Sequence, residues 1–363
     1  MAKILHTADV HLKKFNDERW QALSTVLKLA NQLSVDVLTI AGDLFDQNVA
    51  SNELRDEKLR KLFSKQKFKI IILPGNHDAS SFGHGFYFGD NVTVIEKSNQ
   101  LIKLKDTTIA GIPFEPLSAS ELFKTIESIN SKLNQDSANI LLFHGELTDL
   151  FFNSSDFGDE GQKRYMPLKL NLLEHTNFDY ILAGHFHSKY HVKRLPNKRQ
   201  KQGGYFVYPG SPVSITTKEI GPRSATLINT QKSPKQVELE TLYYENVEIF
   251  ISPEDDQKIL KQIEGRLKKL PANAIGLLKI NGFINHKKLT LTETGLKKEL
   301  IKLAEKYSSQ ISDEDFAIKD IGAIINSGLY RVFVDELEKT KFDQAYKQQL
   351  VQNFVNALMQ VNS

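Results

Sequence analysis

The sequence predicts an α/β fold that opens as a parallel sheet and closes with a smaller α+β module. Two observations carry this reading. The first 80 residues alternate short apolar runs with amphipathic stretches of helical period, and from about residue 240 the rhythm changes to a second, separate alternation. The run Ile4–Ala8 is followed by Trp20, Leu23, Val26, Leu27, Ala30 and Leu33 at helical spacing. After Val37–Ala41, Ser51 is a suitable N-cap, with Leu54, Leu59, Leu62 and Phe63 as the buried stripe. Ile70–Leu73 completes a strand-helix-strand-helix-strand unit, whose crossovers are expected to be right-handed.

From Asn91 the pattern turns to short strands, Val92–Ile95, Leu101–Leu104 and Thr108–Ile112. A helix over Ser118–Leu133 precedes two further apolar runs, Ile140–Phe143 and Tyr180–Ala183. Beyond about residue 240, Val247–Ile251 reads as a strand and Ser252-Pro253-Glu254-Asp255 as a helix start. Ile259, Leu260, Ile263, Leu267 and Leu270 continue that helix. A strand over Ile275–Ile284, a helix over Leu296–Tyr307 and a strand near Phe316–Ile321 complete a β-α-β-β-α-β module or a near relative.

Composition bounds the function without choosing it. The 363 residues accommodate one large domain and a smaller one, and 40% hydrophobic with 25% charged residues is ordinary for a globular protein. A net charge of +3 is no nucleic-acid signature, so any DNA contact must come from local patches. The absence of cysteine excludes disulfides and thiolate ligands. No signal-peptide core and no run approaching roughly 18 apolar residues is present, so a soluble, cytoplasmic protein without membrane attachment is expected.

Five fragments carry the chemistry. Asp9-Val10-His11, Gly42-Asp43, Gly75-Asn76-His77-Asp78, His144-Gly145 and Gly184-His185-Phe186-His187 each follow one of the apolar runs. Parallel sheets gather such loops at the carboxyl ends of their strands. Seven oxygen and nitrogen donors (Asp9, His11, Asp43, Asn76, His144, His185 and His187) then suit a two-metal hydrolytic centre. Asp9 and His11, two apart on an extended strand end, are expected to point to one side, and Asp43 is the natural bridge. Carboxylate, amide oxygen and imidazole suit Mn above all, with Fe, Zn, Co or Ni as alternatives.

In this order, the fragments resemble the calcineurin-like metallophosphoesterases. Within that superfamily, His6–Leu12, Gly42-Asp43-Leu44-Phe45-Asp46 and the turn Tyr208-Pro209-Gly210-Ser211-Pro212 are similar to the DNA-repair exonuclease branch, which includes the nuclease subunit of SbcCD-type complexes. The resemblance covers about residues 1–230; Val10 and Lys13 depart from the branch pattern without removing a ligand. It implies a four-layer αββα sandwich over residues 1–240, a capping module over 241–328 that shapes DNA access, and a helical tail over 329–363. By motif position it implies Asp9, His11, Asp43 and His187 at one ion, and Asp43, Asn76, His144 and His185 at the other. His77 is then the non-ligand histidine that protonates the leaving oxygen or stabilises the transition state. Asp46 is expected to orient it, with Asp78 as the rival. His6, His84, His175 and His286 take no metal role, His6 being placed to support the ligands from within the first strand.

The expected function is a metal-dependent DNA nuclease that hydrolyses phosphodiester bonds with a metal-activated water, partnered by DNA and an SMC-like ATPase, with a homodimer as an open arrangement. Alternatives are a phosphodiesterase or phosphatase for nucleotides or other small phosphoesters, and a scaffold that no longer turns over. The loop Asp149–Tyr165 is a candidate lip for substrate. Lys193, Arg194, Lys198, Arg199 and Lys201 form a basic hairpin tip suited to phosphate contacts. In the tail, Phe342, Tyr346, Leu350, Phe354 and Leu358, widened by Val351 and Val355, make an apolar stripe. It must cover either its own capping module or the ATPase.

Overall fold

The structure, a computed structural model, describes residues 2–47, 57–82, 87–134, 136–149, 165–195, 204–229, 232–312, 314–322 and 328–361. The chain divides into two compact units, Met1–Tyr244 and Glu245–Ser363. Among the described residues, no helix is long and apolar enough to cross a membrane. The expected cap Ser51, with Leu54, lies outside the described residues.

The first unit begins with β1 (Lys3–Thr7), α1 (Glu18–Gln32), β2 (Val37–Ala41), α2 (Leu59–Ser64), β3 (Lys69–Leu73) and β4 (Val92–Val94). Next come β5 (Leu101–Leu104), β6 (Thr107–Ile112), α3 (Ala119–Asn130), β7 (Ala138–His144) and β8 (Tyr180–Gly184). The strands β9 (His191–Leu195), β10 (Gly204–Tyr208), β11 (Ser224–Asn229) and β12 (Lys235–Glu238) finish it. Its described strands form two six-stranded sheets, in the orders β12-β11-β1-β2-β3-β4 and β5-β6-β7-β8-β10-β9. In the first, β1 to β4 run parallel, and β11 and β12 are antiparallel additions. In the second, β6, β7, β8 and β10 run parallel between antiparallel edges β5 and β9.

Period-two alternation in the strands builds the layers. Ile4, Val37, Ile71 and Leu73 face an apolar layer completed by Ile109, Ile140, Leu142 and Leu182 of the other sheet. The intervening residues Leu5, Leu38, Ile70 and Ile72 face the opposite way, onto Trp20, Leu23, Val26 and Leu27 of α1. On the far side, Leu141 and Ile181 pack with Leu122, Ile126 and Ile129 of α3. The order is helix, sheet, sheet, helix, the four-layer αββα sandwich. Local signals start the helices: the Asp17 side chain accepts from the Trp20 amide, and Ser118 with Glu121 forms a capping box.

The sheets approach closely at the end of β8, beside the strand ends that carry the motifs. A Cβ on Gly184 would stand 2.0 Å from the Ala41 carbonyl oxygen and 2.8 Å from the Ala8 Cβ, so only glycine fits at the end of β8. His6 spans the same gap, with Nδ1 3.2 Å from Thr39 Oγ1 and Nε2 3.4 Å from the Ala183 carbonyl oxygen. Burial lowers its pKa to about 3, so it is a neutral structural link between the sheets.

The second unit contains most of β13 (Tyr243–Ile251), then α4 (Lys258–Leu267), β14 (Ala274–Ile284), α5 (His286–Leu289), α6 (Glu293–Lys306), β15 (Phe316–Asp320), α7 (Gly328–Glu338) and α8 (Gln344–Val361). Its described strands form a three-stranded sheet, β13-β14-β15, with β14 and β15 parallel. Two expectations are corrected. Among the described residues the module has three strands, not the four of a β-α-β-β-α-β order; the strand expected over Ile275–Ile284 is there, as Ala274–Ile284. The first helix starts at Lys258, not within Ser252–Asp255. There the Ser252 amide donates to Asp255 Oδ2 at 2.8 Å and the Asp255 amide to the Ser252 carbonyl at 2.9 Å, so the capping groups close a tight turn before the helix.

The tail helices are part of this unit's own core. Val355 is fully buried with Phe283, Ile321 and Tyr330, and Val351 and Phe354 pack against them. The Phe333 and Phe354 rings stack at 4.0 Å, joining α7 to α8. Phe342 and Tyr346, from the same stripe, remain 50% and 46% exposed.

Gly184→Ala is expected to overpack the junction of the sheets, lowering stability by about 1–3 kcal/mol. Urea unfolding would read this as a reduced midpoint; an unchanged midpoint would mean that β8 has room to shift.

Candidate metal centre

The carboxyl ends of β1, β2, β3, β7 and β8 bring the five fragments together. Asp9, His11, Asp43, His144, His185 and His187 are all buried, while Asn76 and His77 are partly accessible. The expectation that Asp9 and His11 extend the strand is corrected by their backbone. β1 stops at Thr7, and Asp9 and His11 have φ of 55° and 50°, in the left-handed region. Asp43 (φ 49°) and His185 (φ 91°) share this unusual conformation. Such residues are costly and cluster where surrounding structure holds them for function. Here hydrogen bonds hold them: the His11 amide donates to the Asp43 carbonyl at 2.9 Å, and the Asp9 amide to the Gly42 carbonyl at 3.2 Å.

One group is tight. Donor atoms of Asp9, His11, Asp43 and His187 lie within 4.8 Å of one another. His11 Nε2 and His187 Nε2 are 3.2 Å apart, His11 Nε2 is 3.7 Å from Asp43 Oδ2, and His187 Nε2 is 3.8 Å from Asp9 Oδ1. A second group adjoins it through Asp43. His144 Nε2 stands 3.2 Å from Asp43 Oδ2 and 2.9 Å from Asn76 Oδ1, and the His144 and His185 rings are 5.4 Å apart. Asp43 thus faces both groups. Its other oxygen, Oδ1, accepts from the His77 amide at 2.9 Å, which ties the bridge to the loop after β3.

Gly42 makes this convergence sterically possible. Its φ is 91°, and a Cβ there would lie 1.8 Å from His144 Nδ1. The His144 ring is held from behind by the Ala41 carbonyl oxygen, 3.0 Å from Nδ1, which leaves Nε2 to face Asp43 and Asn76.

His77 and Asp46 stand beside the first group. Asp46 Oδ1 is 3.6 Å from His77 Nδ1 and 3.8 Å from His11 Nδ1, while Oδ2 accepts from Arg19 at 2.8 Å. Burial would raise the Asp46 pKa, but the facing His11, His77 and Arg19 groups hold its carboxyl well below the usual range. Asp46 therefore serves two imidazoles at once. The rival Asp78 is engaged elsewhere: its buried carboxylate accepts from the Gly75 amide at 2.7 Å and the Phe45 amide at 3.1 Å, joining the loops after β2 and β3. Burial and the neighbouring Asp43 charge raise its pKa to about 7.

The donors fit divalent ions. Asp9 and Asp43 are fully buried carboxylates, and Asp43 Oδ2 is faced by the His144 and His11 imidazoles at 3.2 and 3.7 Å. Buried charge without compensation is unstable, so the site calls for positive charge. The pKa of His144 records that demand: burial would lower it, yet the Asp43 and Asp9 charges raise it to about 10. Carboxylate, amide oxygen and imidazole are the donor types of borderline transition metals rather than of calcium.

Several contributing residues escaped the motif reading. Glu146 is buried, with Oε1 3.8 Å from His185 Nε2, and accepts from the Tyr165 amide at 3.1 Å. Glu219 is fully buried, with Oε1 3.5 Å from His187 Nδ1, and Arg223 is buried close by. Arg19 anchors Asp46. Glu146, two residues past His144, was the one readable signal; Glu219 and Arg223 come from a loop distant in sequence, and Arg19 from the first turn of α1. Of the basic hairpin, Lys193 and Arg194 are exposed on β9, whereas Lys198, Arg199 and Lys201 lie outside the described residues. So do His84 and most of the candidate lip, residues 150–164.

An ion bound at His144 requires its lone pair, which a proton occupies below about pH 10 in the ion-free protein. Ion binding near pH 7.5 is therefore expected to release this proton, and apparent affinity to rise with pH, by about tenfold per unit for each proton released. Calorimetric Mn²⁺ titration in buffers of different ionisation enthalpy would measure it. Buffer-independent heats would show that His144 is already neutral in the ion-free protein, and unchanged Mn²⁺ affinity in His144→Ala would remove it from the ligand set.

Comparison with known proteins agrees with this geometry. Residues 2–189, just over half of the chain, match the family model described as calcineurin-like phosphoesterase. The DNA double-strand break repair protein Mre11 of Methanosarcina acetivorans is 24% identical over 295 residues, covering 76% of this chain and 45% of that protein. The protein of the same name from Archaeoglobus fulgidus is 24% identical over 314 residues, covering 74% of this chain and 66% of that one. The chain thus spans from about half to about two thirds of the length of these relatives. A solved structure from Thermus thermophilus aligns with TM-score 0.42 at 15% identity, over 65% of this chain and 98% of that one. The chain belongs to the calcineurin-like metallophosphoesterases.

Proposed function

We propose that this phosphoesterase is a DNA nuclease of the double-strand-break-repair type, working with two divalent transition-metal ions, most suitably Mn. The observation that carries this reading is the convergence of seven donors and His77 at five strand ends, in a chain whose relatives are named for DNA double-strand break repair. Asp9, His11, Asp43 and His187 would hold one ion, and Asp43, Asn76, His144 and His185 the other; bound there, such ions would supply positive charge to the phosphodiester and a lowered water pKa. His77 takes the role of proton donor to the leaving oxygen, with Asp46 holding its Nδ1 side. Lys193 and Arg194 offer phosphate contacts that would bind DNA without reading its sequence.

The test is hydrolysis of linear and circular DNA against cyclic nucleotides and bis-p-nitrophenyl phosphate. We expect Mn-dependent DNA cleavage that chelators abolish. His77→Ala should keep its metal content and lose activity by roughly 10²–10⁴-fold, the span of general acid catalysis. Preference for the small esters would favour a phosphodiesterase, full activity after metal removal would end the two-metal reading, and loss of an ion in His77→Ala would make His77 a ligand.

For the SMC-like ATPase we assign the outward face of the tail. Leu329 and Val332 on α7, Tyr346 on α8 and Phe342 in the connection between the two helices are 46–60% exposed, while the inner face of α8 is occupied by the unit's own core. Exposed apolar groups of this spacing suit helix-in-groove docking. Phe342→Ser with Tyr346→Ser is expected to weaken co-purification with the cognate ATPase while leaving the melting temperature within a few degrees. Undiminished association would end this assignment.

A further inference from the structure

The turn Pro209–Pro212 and the buried Glu219 and Arg223 take no part in the chemistry above, yet they converge on one ligand. Glu219 comes from the loop between β10 and β11 and is fully buried. Its Oε1 faces His187 Nδ1 at 3.5 Å, the side of the ring opposite the donor group. The carboxylate is fixed in place: Oε2 accepts from the Ser211 hydroxyl at 2.7 Å and the Ile215 amide at 3.0 Å, and Oε1 from the Thr216 amide at 3.3 Å. Arg223 closes the circuit. It donates through Nη2 to Ser211 Oγ at 3.0 Å and to the His187 carbonyl, through Nη1 to the Ser188 carbonyl at 3.0 Å, and through Nε to the Ser211 carbonyl at 3.0 Å. The Ser211 amide also donates to the His187 carbonyl at 3.1 Å.

His187 is therefore gripped at both ends, its backbone by Arg223 and Ser211 and its ring by Glu219. We propose that Glu219, braced by Ser211 and Arg223, is a positioning residue that holds His187 as the Nδ1–H tautomer and directs its Nε2 to the first ion. An acceptor-only carboxylate can face Nδ1 favourably only if that nitrogen carries the hydrogen. Nε2 then presents its lone pair beside Asp9 Oδ1 and His11 Nε2. A carboxylate behind a ligating imidazole fixes ring orientation and raises its basicity, and losing one typically costs 10–100-fold in metal affinity. The same brace explains why a turn 22 residues beyond the ligand pair belongs to the site: it is the wall against which His187 is set. This inference rests on the proposed metal site and not on the identity of the substrate.

The experiment uses the full chain with ¹⁵N-labelled histidine. In chelator-treated protein, ring nitrogen shifts are expected to report His187 as the Nδ1–H tautomer, and Glu219→Gln to shift it toward a tautomer mixture. Titration of the same proteins with Mn²⁺ should show affinity at one of two positions reduced by about 10–100-fold in Glu219→Gln. Ser211→Ala, which removes only the hydroxyl brace, should give a smaller loss in the same direction and decides the matter if Glu219→Gln fails to fold. An Nε2–H tautomer in the unaltered protein, or unchanged tautomer and Mn²⁺ affinity in the variants, would overturn the proposal. If the unaltered protein bound no Mn²⁺, the metal site itself would fail, and the tautomer readout in ion-free protein would still judge the brace.

Discussion

Two fully buried carboxylates, Asp9 and Asp43, are the constraint around which the first unit is arranged. A four-layer sandwich of apolar strands is a poor place for negative charge. The structure answers by surrounding them with imidazoles and amide donors. The His185 amide donates to Asp9 at 2.9 and 3.1 Å, and the His77 amide donates to Asp43. These bonds orient the carboxylates but do not neutralise them. The remaining charge demand is what raises the His144 pKa and what divalent ions would satisfy.

Meeting that constraint requires close approach. Five strand ends from two sheets must meet within a few ångströms, and ordinary side chains would prevent it. Gly42 and Gly184 remove the obstructing Cβ atoms, one beside His144 and the other against the Ala41 carbonyl. Left-handed backbone at Asp9, His11, Asp43 and His185 then turns side chains inward as the strands end. The cost of these conformations is borne by the packed layers on either side. Rigidity of this kind is what a hydrolytic centre needs, because its groups must be in place before the reaction begins.

A second tier of buried polar groups supports the first. Asp46 stands between His11 and His77, Asp78 laces two loops together, and Glu219 with Arg223 holds His187. Each engages a ligand, or the loop that carries one, from behind, so the donor geometry is spread over loops that no single motif contains. The second unit follows a simpler logic. One sheet and its helices form an apolar core, and α8 closes over Phe283, Ile321 and Tyr330 with only part of its stripe.

The strands β1 to β8 and β13 to β15, most helices and the candidate ligands were legible in the sequence, because period and strand-end motifs are local properties; β10, β11 and β12 were not read from it. Asp-x-His, Gly-Asp, Gly-Asn-His-Asp and Gly-His-x-His can be read without knowing what they meet, and the glycines in them already signal close approach. Local reading erred where two local structures compete: Ser252–Asp255 closes a turn instead of starting a helix, and Asp9 and His11 leave the strand for left-handed backbone. What only the tertiary structure decided is which distant groups meet. No spacing announces that Asp46 faces two histidines, that Asp78 serves backbone amides instead, or that Glu219 and Arg223 lie behind His187. Those pairings depend on how two sheets stack and where loops return, and burial then makes each of them count, because a polar group removed from water must find its partner within the protein.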